Sequence, residues 1–572
     1  MGEGLGQFRR LTGRGHTDQT WNGRLATGAS YPRDVLPAYC HHESRHYILY
    51  LMIPNPAPLR FPMYVCLALI LLLMSHSALA GDVYITPTAS GGDTGANCAN
   101  AHSASWFNSN ATGGNTYHLC GAFTGTANTT MLTPASGSAG NPLIILFESG
   151  ADLTSPQWST NGAIYINGKN YVTVDGGTNG VIENTANGTG LAHNTSSSGI
   201  AIMGASSNIE IKNLTIRNIY QKKGSSSNGT GLDISVGQAG NPSLTNIFIH
   251  DNTLSAGYGG ISFTLDANGS GYHVYNNTIS DACHHIAMSE NSGPHTYSDI
   301  LIYGNNVTNW DNWVSPADGC HTDGIIIFGA PGSTMPVSVY NNYLHGDIQP
   351  TSSADASPTA FVFCTYGAAS PGPVCTIYNN VIANVGDAQD PSGHNNVLIW
   401  LKDGRPGNSV YNNTLVGLTT SEGTAIRFET STTTATLRNN IVTGFKLFVD
   451  SYDDPTTQAT SNNNDFNGYT SGGWFYAATI GGSAGFYTLS QWKAAGMDAN
   501  STTGDPKLDA NYKLQAGSAA ISEATNLTPL AILPLDSDKA GTARPSGSTP
   551  WDAGTYQFGS EPAPSGLQAS VQ

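Results

Sequence analysis

Two short stretches of this 572-residue chain concentrate the groups able to move protons. They are Cys283-His284-His285 and Cys320-His321-Thr322-Asp323. No Lys or Arg occurs between Lys223 and Lys402. Acid–base chemistry in that span must therefore come from His, Asp, Glu or Tyr. A carboxylate beside an imidazole orients the ring and raises its basicity. His284, His321 and Asp323 are accordingly the candidate catalytic groups. Cys283, His284, His285, Cys320 and His321 also have ligand chemistry for zinc or copper. A divalent metal, calcium included, is an alternative source of positive charge, and the ligands of such a metal stay open. Trp310 and Trp313 lie in the stretch leading to His321, and flat amphipathic rings suit the faces of sugars. Lys402, Arg405 and Arg427 are the basic cluster downstream, with Asp403 and Glu429 beside them. Together with His285, His394, Trp310 and Trp313 they are the expected substrate-binding residues.

His284 and Asp323 can meet only if the chain returns on itself at regular intervals. A phrase of the form apolar, x, apolar, x, Asn, Asn, x, apolar does recur. It reads IFIHDNTL (247–254), YHVYNNTI (272–279), ILIYGNNV (300–307, shifted by one), VSVYNNYL (337–344), CTIYNNVI (375–382), NSVYNNTL (408–415) and ATLRNNIV (435–442). IEIKNLTI (209–216) is an imperfect earlier copy. The aligned Asn residues are Asn252, Asn277, Asn305, Asn342, Asn380, Asn413 and Asn440, spaced 25 to 38 residues apart. A period in this range signals a solenoid or an array. The alternation is that of a strand. Asn tolerates left-handed backbone at a bend and can stack as a hydrogen-bonded ladder. A second strand phrase precedes each bend: GIAI (199–202), GLDI (231–234), GISF (260–263), HIAM (285–288), GIII (324–327), AFVF (360–363), VLIW (397–400) and AIRF (425–428). Each repeat then holds about three short strands that pair in parallel with the next repeat, giving an all-β parallel β-helix with Asn-rich turns. Aligning the first inward residues as Ile200, Leu232, Ile261, Ile286, Ile325, Phe361, Leu398 and Ile426 places His284 beside Asp323 on adjacent coils. The same alignment sets His321 and His394 two coils apart.

The Asn-Asn bends and Gly-Ile-x-Ile strands over residues 140–480 resemble the pectate-lyase-like superfamily of right-handed parallel β-helices. The resemblance implies a right-handed, single-stranded solenoid that acts on polysaccharide. HTDG (321–324) is similar to the N-T-D-G motif of polygalacturonases, in which the Asp belongs to the catalytic carboxylate group. The correspondence covers Thr322, Asp323 and Gly324. The paired Asp of that family is missing one coil later, where the chain reads SPTAFVF (357–363), and His394 of SGHN (392–395) sits two positions from the family offset. YKLQAGSAAI (512–521), the D-x-x-G-x-x-R-P segment (538–545) and DAGTYQF (552–558) resemble a C-terminal signature that closes such helices.

Composition agrees with many short strands. Charged residues are 11% of the chain and Gly numbers 67, against ~25% charge and ~7% Gly in ordinary globular domains. The formal charge of −17 excludes a nucleic-acid or anionic-membrane partner as the expectation. Residues 64–74 form an uncharged apolar run, shorter than the ~20 residues of a spanning helix and matched to the core of a secretory signal. Ala78-Leu79-Ala80 supplies the small residues before a cut at Gly81, and Met52 with Arg60 supplies the charged start. The reading is a leader over 1–80 with its signal at 52–80, an N-terminal cap region over 81–140, a β-helix over 141–480, a closing segment over 481–560 and a tail over 561–572. An exported chain with an even number of remaining Cys reads as disulfide-bonded. The expected pairs are Cys98–Cys120, Cys364–Cys375 and Cys283–Cys320, and no membrane contact is expected once the signal is removed.

The expected role is cleavage of an extracellular polysaccharide, with hydrolysis placed ahead of β-elimination. Hydrolysis needs two carboxyls, ~5–5.5 Å apart for retention or ~6.5–9.5 Å for inversion. Asp281, Glu290, Asp318 and Asp347 are the partners open to Asp323. A lyase needs a base and a cation for the uronate carboxylate. The rival expectation is a non-catalytic surface adhesin or glycan-binding stalk.

Overall fold

In a computed structural model of the protein, the described residues are 81–221, 230–290, 292–310, 322–348, 359–366, 373–384, 397–402, 406–418, 423–429, 433–468, 475–480 and 483–559. The predicted leader and tail lie outside them. Three sheets of 14, 12 and 12 strands run along the chain, and the coils stack by parallel pairing between each repeat and the next, a right-handed parallel β-helix. Each full coil contributes one strand to each sheet. The coil that begins at His284, for example, has strands His284–Glu290, Tyr297–Tyr303 and Asn306–Trp310. These three belong to what we term the first, second and third sheets. Among the described residues no helix is long and apolar enough to cross a membrane.

The Asn-Asn phrase forms the bend between the second and third sheets. The first residue of each pair takes left-handed backbone: φ is 54° at Asn276, 56° at Asn341, 54° at Asn379, 50° at Asn412 and 62° at Asn439. Asp251 at 55° and Gly304 at 67° do the same in the two copies that lack Asn there. The second residue turns inward and builds a ladder. Asn277 is typical. Its Nδ2 donates to Asn305 Oδ1 at 3.0 Å and to Ile249 O at 2.9 Å, while its Oδ1 accepts from Asn252 Nδ2 at 3.0 Å and Asn252 N at 3.2 Å. The pattern continues through Asn305, Asn342, Asn380, Asn413 and Asn440 to Asn464, a rung beyond the seven aligned from sequence. At the far end Asp498 Oδ1 receives Asn464 Nδ2 at 3.0 Å and Ser501 Oγ at 2.6 Å.

The register of the first sheet explains the recurrent Gly-Ile. Ile200, Ile234, Ile261, Ile286, Ile325, Val362, Ile399 and Ile426 pair in succession. The sequence alignment is therefore two positions off at Leu232 and one off at Phe361 and Leu398. The residue before each of these also faces the interior. A Cβ at Gly199, Gly260 or Gly324 would run into Ile216, Ile279 or Leu344 of the third sheet. Read down the paired coils, that interior column is Gly199, Asp233, Gly260, His285, Gly324 and Phe361, so Asp233 and His285 each sit between two glycines. Asp233 is fully buried, and neither carboxyl oxygen has a hydrogen-bond partner among the described residues. Burial pushes its carboxyl well above the usual carboxylate range.

The ends and one flank are covered. The helix Ala104–Asn110, capped by the Ser103 side chain accepting from Trp106 N, buries Phe107 at the N-terminal end. Near the C-terminal end Trp492 of the helix Leu489–Ala494 stacks on Phe475 at 4.7 Å. Residues 508–558 run back along the outside of the Asn bends. There Tyr378 Oη donates to Leu533 O at 3.0 Å, Arg544 Nη2 donates to Asn379 Oδ1 at 2.9 Å, and Asn439 Nδ2 donates to Thr525 O at 2.8 Å. The predicted disulfides Cys98–Cys120 and Cys364–Cys375 are present. Cys283 is disulfide-bonded, and its predicted partner Cys320 lies outside the described residues.

Two predictions follow the two kinds of buried amide and acid. Asn277→Ala removes a side chain that makes five hydrogen bonds and should cost about 3 kcal/mol in denaturant unfolding. Asn276→Gly keeps the left-handed bend and should cost under about 1 kcal/mol. Equal losses at the two positions would contradict the division of labour. Because Asp233 keeps its proton in the folded coil and loses it in the unfolded chain above about pH 4, stability falls as pH rises from there. Asp233→Asn should melt at a higher temperature than wild type at pH 7, with the gap closing as pH is lowered toward 4. A gap independent of pH would show that the carboxyl is not carried as the neutral acid.

Candidate functional site

The site lies where the chain enters the first sheet from the third. The paired residues Gly259, His284 and Asp323 occupy successive coils there. Main-chain bonds fix both functional side chains: His284 N donates to Tyr258 O at 3.2 Å, and Asp323 N donates to Cys283 O at 3.0 Å. His284 Nδ1 lies 3.1 Å from Asp323 Oδ2. With Asp323 ionised, its carboxylate can only accept, which assigns the hydrogen to Nδ1 and leaves Nε2 as the acceptor. The Asp323 side chain is 0% exposed and that of His284 is 21% exposed. The carboxylate thus stands behind the imidazole, and the imidazole meets the solvent. The Tyr258 ring contacts the His284 ring edge-on, 5.7 Å between centroids.

Several residues expected to touch substrate are buried instead. His285 occupies the interior column and is fully buried. Its Nε2 is 3.0 Å from Thr308 O and its Nδ1 3.3 Å from Asp323 O. Burial lowers its pKa to about 4, so the ring is neutral at neutral pH and its single N–H can donate to only one of the two carbonyls, the nearer being Thr308 O. Trp310 is 2% exposed and packs against Phe361 at 4.6 Å and His285 at 4.9 Å inside the coil. Arg427 is 3% exposed and donates from Nε to Asp450 Oδ2 at 2.8 Å. The expectation that these three are open to substrate is corrected: all are buried. The cause for His285 is the second inward position of each first-sheet strand, which simple alternation does not foresee. Lys402 remains half-exposed, 3.1 Å from Glu429 Oε1. His321, Trp313, His394 and Arg405 lie outside the described residues.

The carboxyl partners divide likewise. Glu290 is at the opposite end of the strand His284–Glu290, about 20 Å from its start at ~3.3 Å per residue. It accepts from Ala330 N at 3.0 Å and from Ser333 Oγ at 2.5 Å, and lies 3.0 Å from His295 Nδ1. It cannot share a substrate atom with Asp323. Asp281 sits in a left-handed turn and accepts from Ser280 Oγ at 2.8 Å. Asp347 follows the third-sheet strand of Asp323's own coil, and Asp318 lies outside the described residues. Among the described residues no three His, Cys, Asp or Glu side chains converge as metal ligands. Of the candidate metal ligands, Cys283 is consumed by its disulfide and His285 by its two carbonyl neighbours.

Trp400 is a residue the sequence reading missed. The one-position slip at Leu398 puts it inside, whereas the pairing of Phe363, Trp400 and Arg427 puts it on the outer face. Arg427 lies over its ring at 5.0 Å and Lys402 at 5.6 Å. The alternating pattern of VLIW carries the signal once Ile399 rather than Leu398 is taken as the inward residue.

No protein-family model matches the chain, and no curated protein matches it. Solved structures with similarity to it include the crystal structure of pectate lyase Pel9A, at 14% identity and a TM-score of 0.40, covering 85% of this chain and 98% of that one. A rhamnogalacturonan lyase is similar at 10% identity and a TM-score of 0.33, over 67% of this chain and 87% of that one. A mannuronic acid specific polysaccharide family 6 lyase from human gut microbiota is similar at 10% identity and a TM-score of 0.27, over 68% of this chain and 87% of that one.

Proposed function

We propose that the protein cleaves an extracellular polysaccharide and that His284 moves the proton, with Asp323 as its positioning carboxylate. The observation that carries this reading is the contrast within the pair: the two groups are 3.1 Å apart, yet only the imidazole reaches solvent. A buried carboxylate bonded to Nδ1–H fixes the tautomer and ring plane and stabilises the imidazolium that forms on proton uptake. Nε2 is then the nitrogen that serves as a base for a water attacking a sugar carbon, or, once protonated, as an acid toward a leaving oxygen. Because Asp323 is shielded by the ring, its carboxylate does not attack sugar directly.

Hydrolysis ranks ahead of elimination. A lyase must offset the charge of a uronate carboxylate, and the sequence from 224 to 401 contains no Lys or Arg. Lys402 and Arg427 are already paired with Glu429 and Asp450. The second proton of hydrolysis is assigned to His321, two residues before Asp323 and outside the described residues, so that two imidazoles take the place of the carboxyl pair of ordinary glycosidases. Export through the leader at 52–80 belongs to the same proposal.

Incubation with a polysaccharide panel tests it. At least one glycan should yield new reducing ends without the ultraviolet absorbance of an unsaturated product. His284→Gln and Asp323→Asn should each lower kcat on it by roughly 10²–10⁴-fold while both variants melt as cooperatively as wild type. Full turnover in both variants would remove the site. Absorbance from an unsaturated product would replace hydrolysis by elimination. A glycan bound but never cut would make the protein a binding module.

A further inference from the structure

The outer face of the first sheet is not uniform along the solenoid. Downstream of Asp323 it carries Phe363, Trp400 and Arg427. Upstream of His284 it opens into a recess of about 310 Å³, within the range of small-molecule sites. Ser198, Leu232, Ser235 and Thr264 line it, with Met203 and Thr160 at its margins. None of its described lining residues is charged.

Register ties this recess to the His284 couple. Ser198, Leu232, Gly259, His284 and Asp323 form one paired column. At ~4.8 Å per coil, Leu232 lies about 10 Å and Ser198 about 14 Å from the coil of His284. One pyranose unit spans roughly one coil, so a glycan lying along the axis with its scissile bond at His284 places its second and third units over these residues. The intervening Gly259 offers no side chain. Leu232 Cδ2 lies 2.8 Å from where a Gly259 Cβ would stand, so the Leu232 side chain fills the space beside that glycine.

We infer that this recess is a subsite for uncharged, hydroxyl-rich sugar units. Serine and threonine hydroxyls both donate and accept, as sugar hydroxyls require, and Leu232 and Met203 offer apolar surface to the C–H face of a ring. A uronate carboxylate would lose water there and meet no cation from the described lining residues, in a chain whose formal charge is −17. The link to turnover rests on the cleavage proposal, whereas binding in the recess can be read without it.

The test titrates full-length Asp323→Asn protein with neutral gluco-, xylo-, manno- and galacto-oligosaccharides of two to six units, and with oligogalacturonates of the same lengths. At least one neutral series should bind, tighter with length. Thr264→Trp and Thr160→Trp narrow the recess from its half-buried and its exposed wall, and each should shift that affinity at least fivefold. Thr264→Ser should leave it within twofold. In the cleaving enzyme Thr264→Trp should raise KM for hexamers more than for dimers. If neutral sugars bind as described but no glycan is cut, the subsite stands and the cleavage proposal falls. Affinity unchanged in both Trp variants overturns the subsite. So does binding confined to oligogalacturonates, weakened by salt and strengthened by Thr264→Lys.

Discussion

The side-chain amide of one buried Asn bonded to that of the next coil is the contact on which the architecture depends. From Asn252 to Asn464 each rung accepts from the rung before and donates to the rung after. A parallel solenoid has no hairpins to set its register, and a slip of one residue would turn every inward Ile outward. The ladder removes that freedom, because an amide out of step would leave a donor and an acceptor buried without partners, at about 1–3 kcal/mol each. The left-handed residue before each rung is what lets the amide point inward, and its side chain is free to face outward. On the later coils Asn379 and Asn439 use that outward face to hold the returning C-terminal segment.

Chemistry follows from this register. His284 and Asp323 are 39 residues apart and become neighbours only because their coils are held in step. The interior column lies directly beneath the couple: Gly260 and Gly324 make room for His285, whose ring packs between the main chain of Asp323 and that of Thr308 in the third sheet. Asp233, two coils upstream between Gly199 and Gly260, is the one member of the column set against stability, an unpaired acid in the core.

Much of this was legible in the sequence. The Asn pairs carried the bend and the ladder, since backbone tolerance and amide bonding both select Asn there. The neighbourhood of His284 and Asp323 also followed from alignment, because Gly259, His284 and Asp323 are equally placed before Ile261, Ile286 and Ile325. The facing of individual side chains was less legible. Two consecutive inward positions at the start of each first-sheet strand break the period of two, so His285 read as exposed. GLDI invites Leu232 as the inward residue where Ile234 takes that place, which hid Asp233. Trp310 reads as a sugar platform from its polar neighbours, whereas its position at the end of a third-sheet strand buries it. Which side chains reach Asp323 from the surrounding loops depends on contacts far apart in sequence, and no local pattern encodes them.

The central claim is that His284 and Asp323 act as one unit across two coils. A double-mutant cycle on turnover measures this directly. If the carboxylate works only through the imidazole, His284→Gln combined with Asp323→Asn will lower kcat no further than His284→Gln does alone. If the two losses multiply, each group contributes separately, and the couple described here is not the catalytic unit.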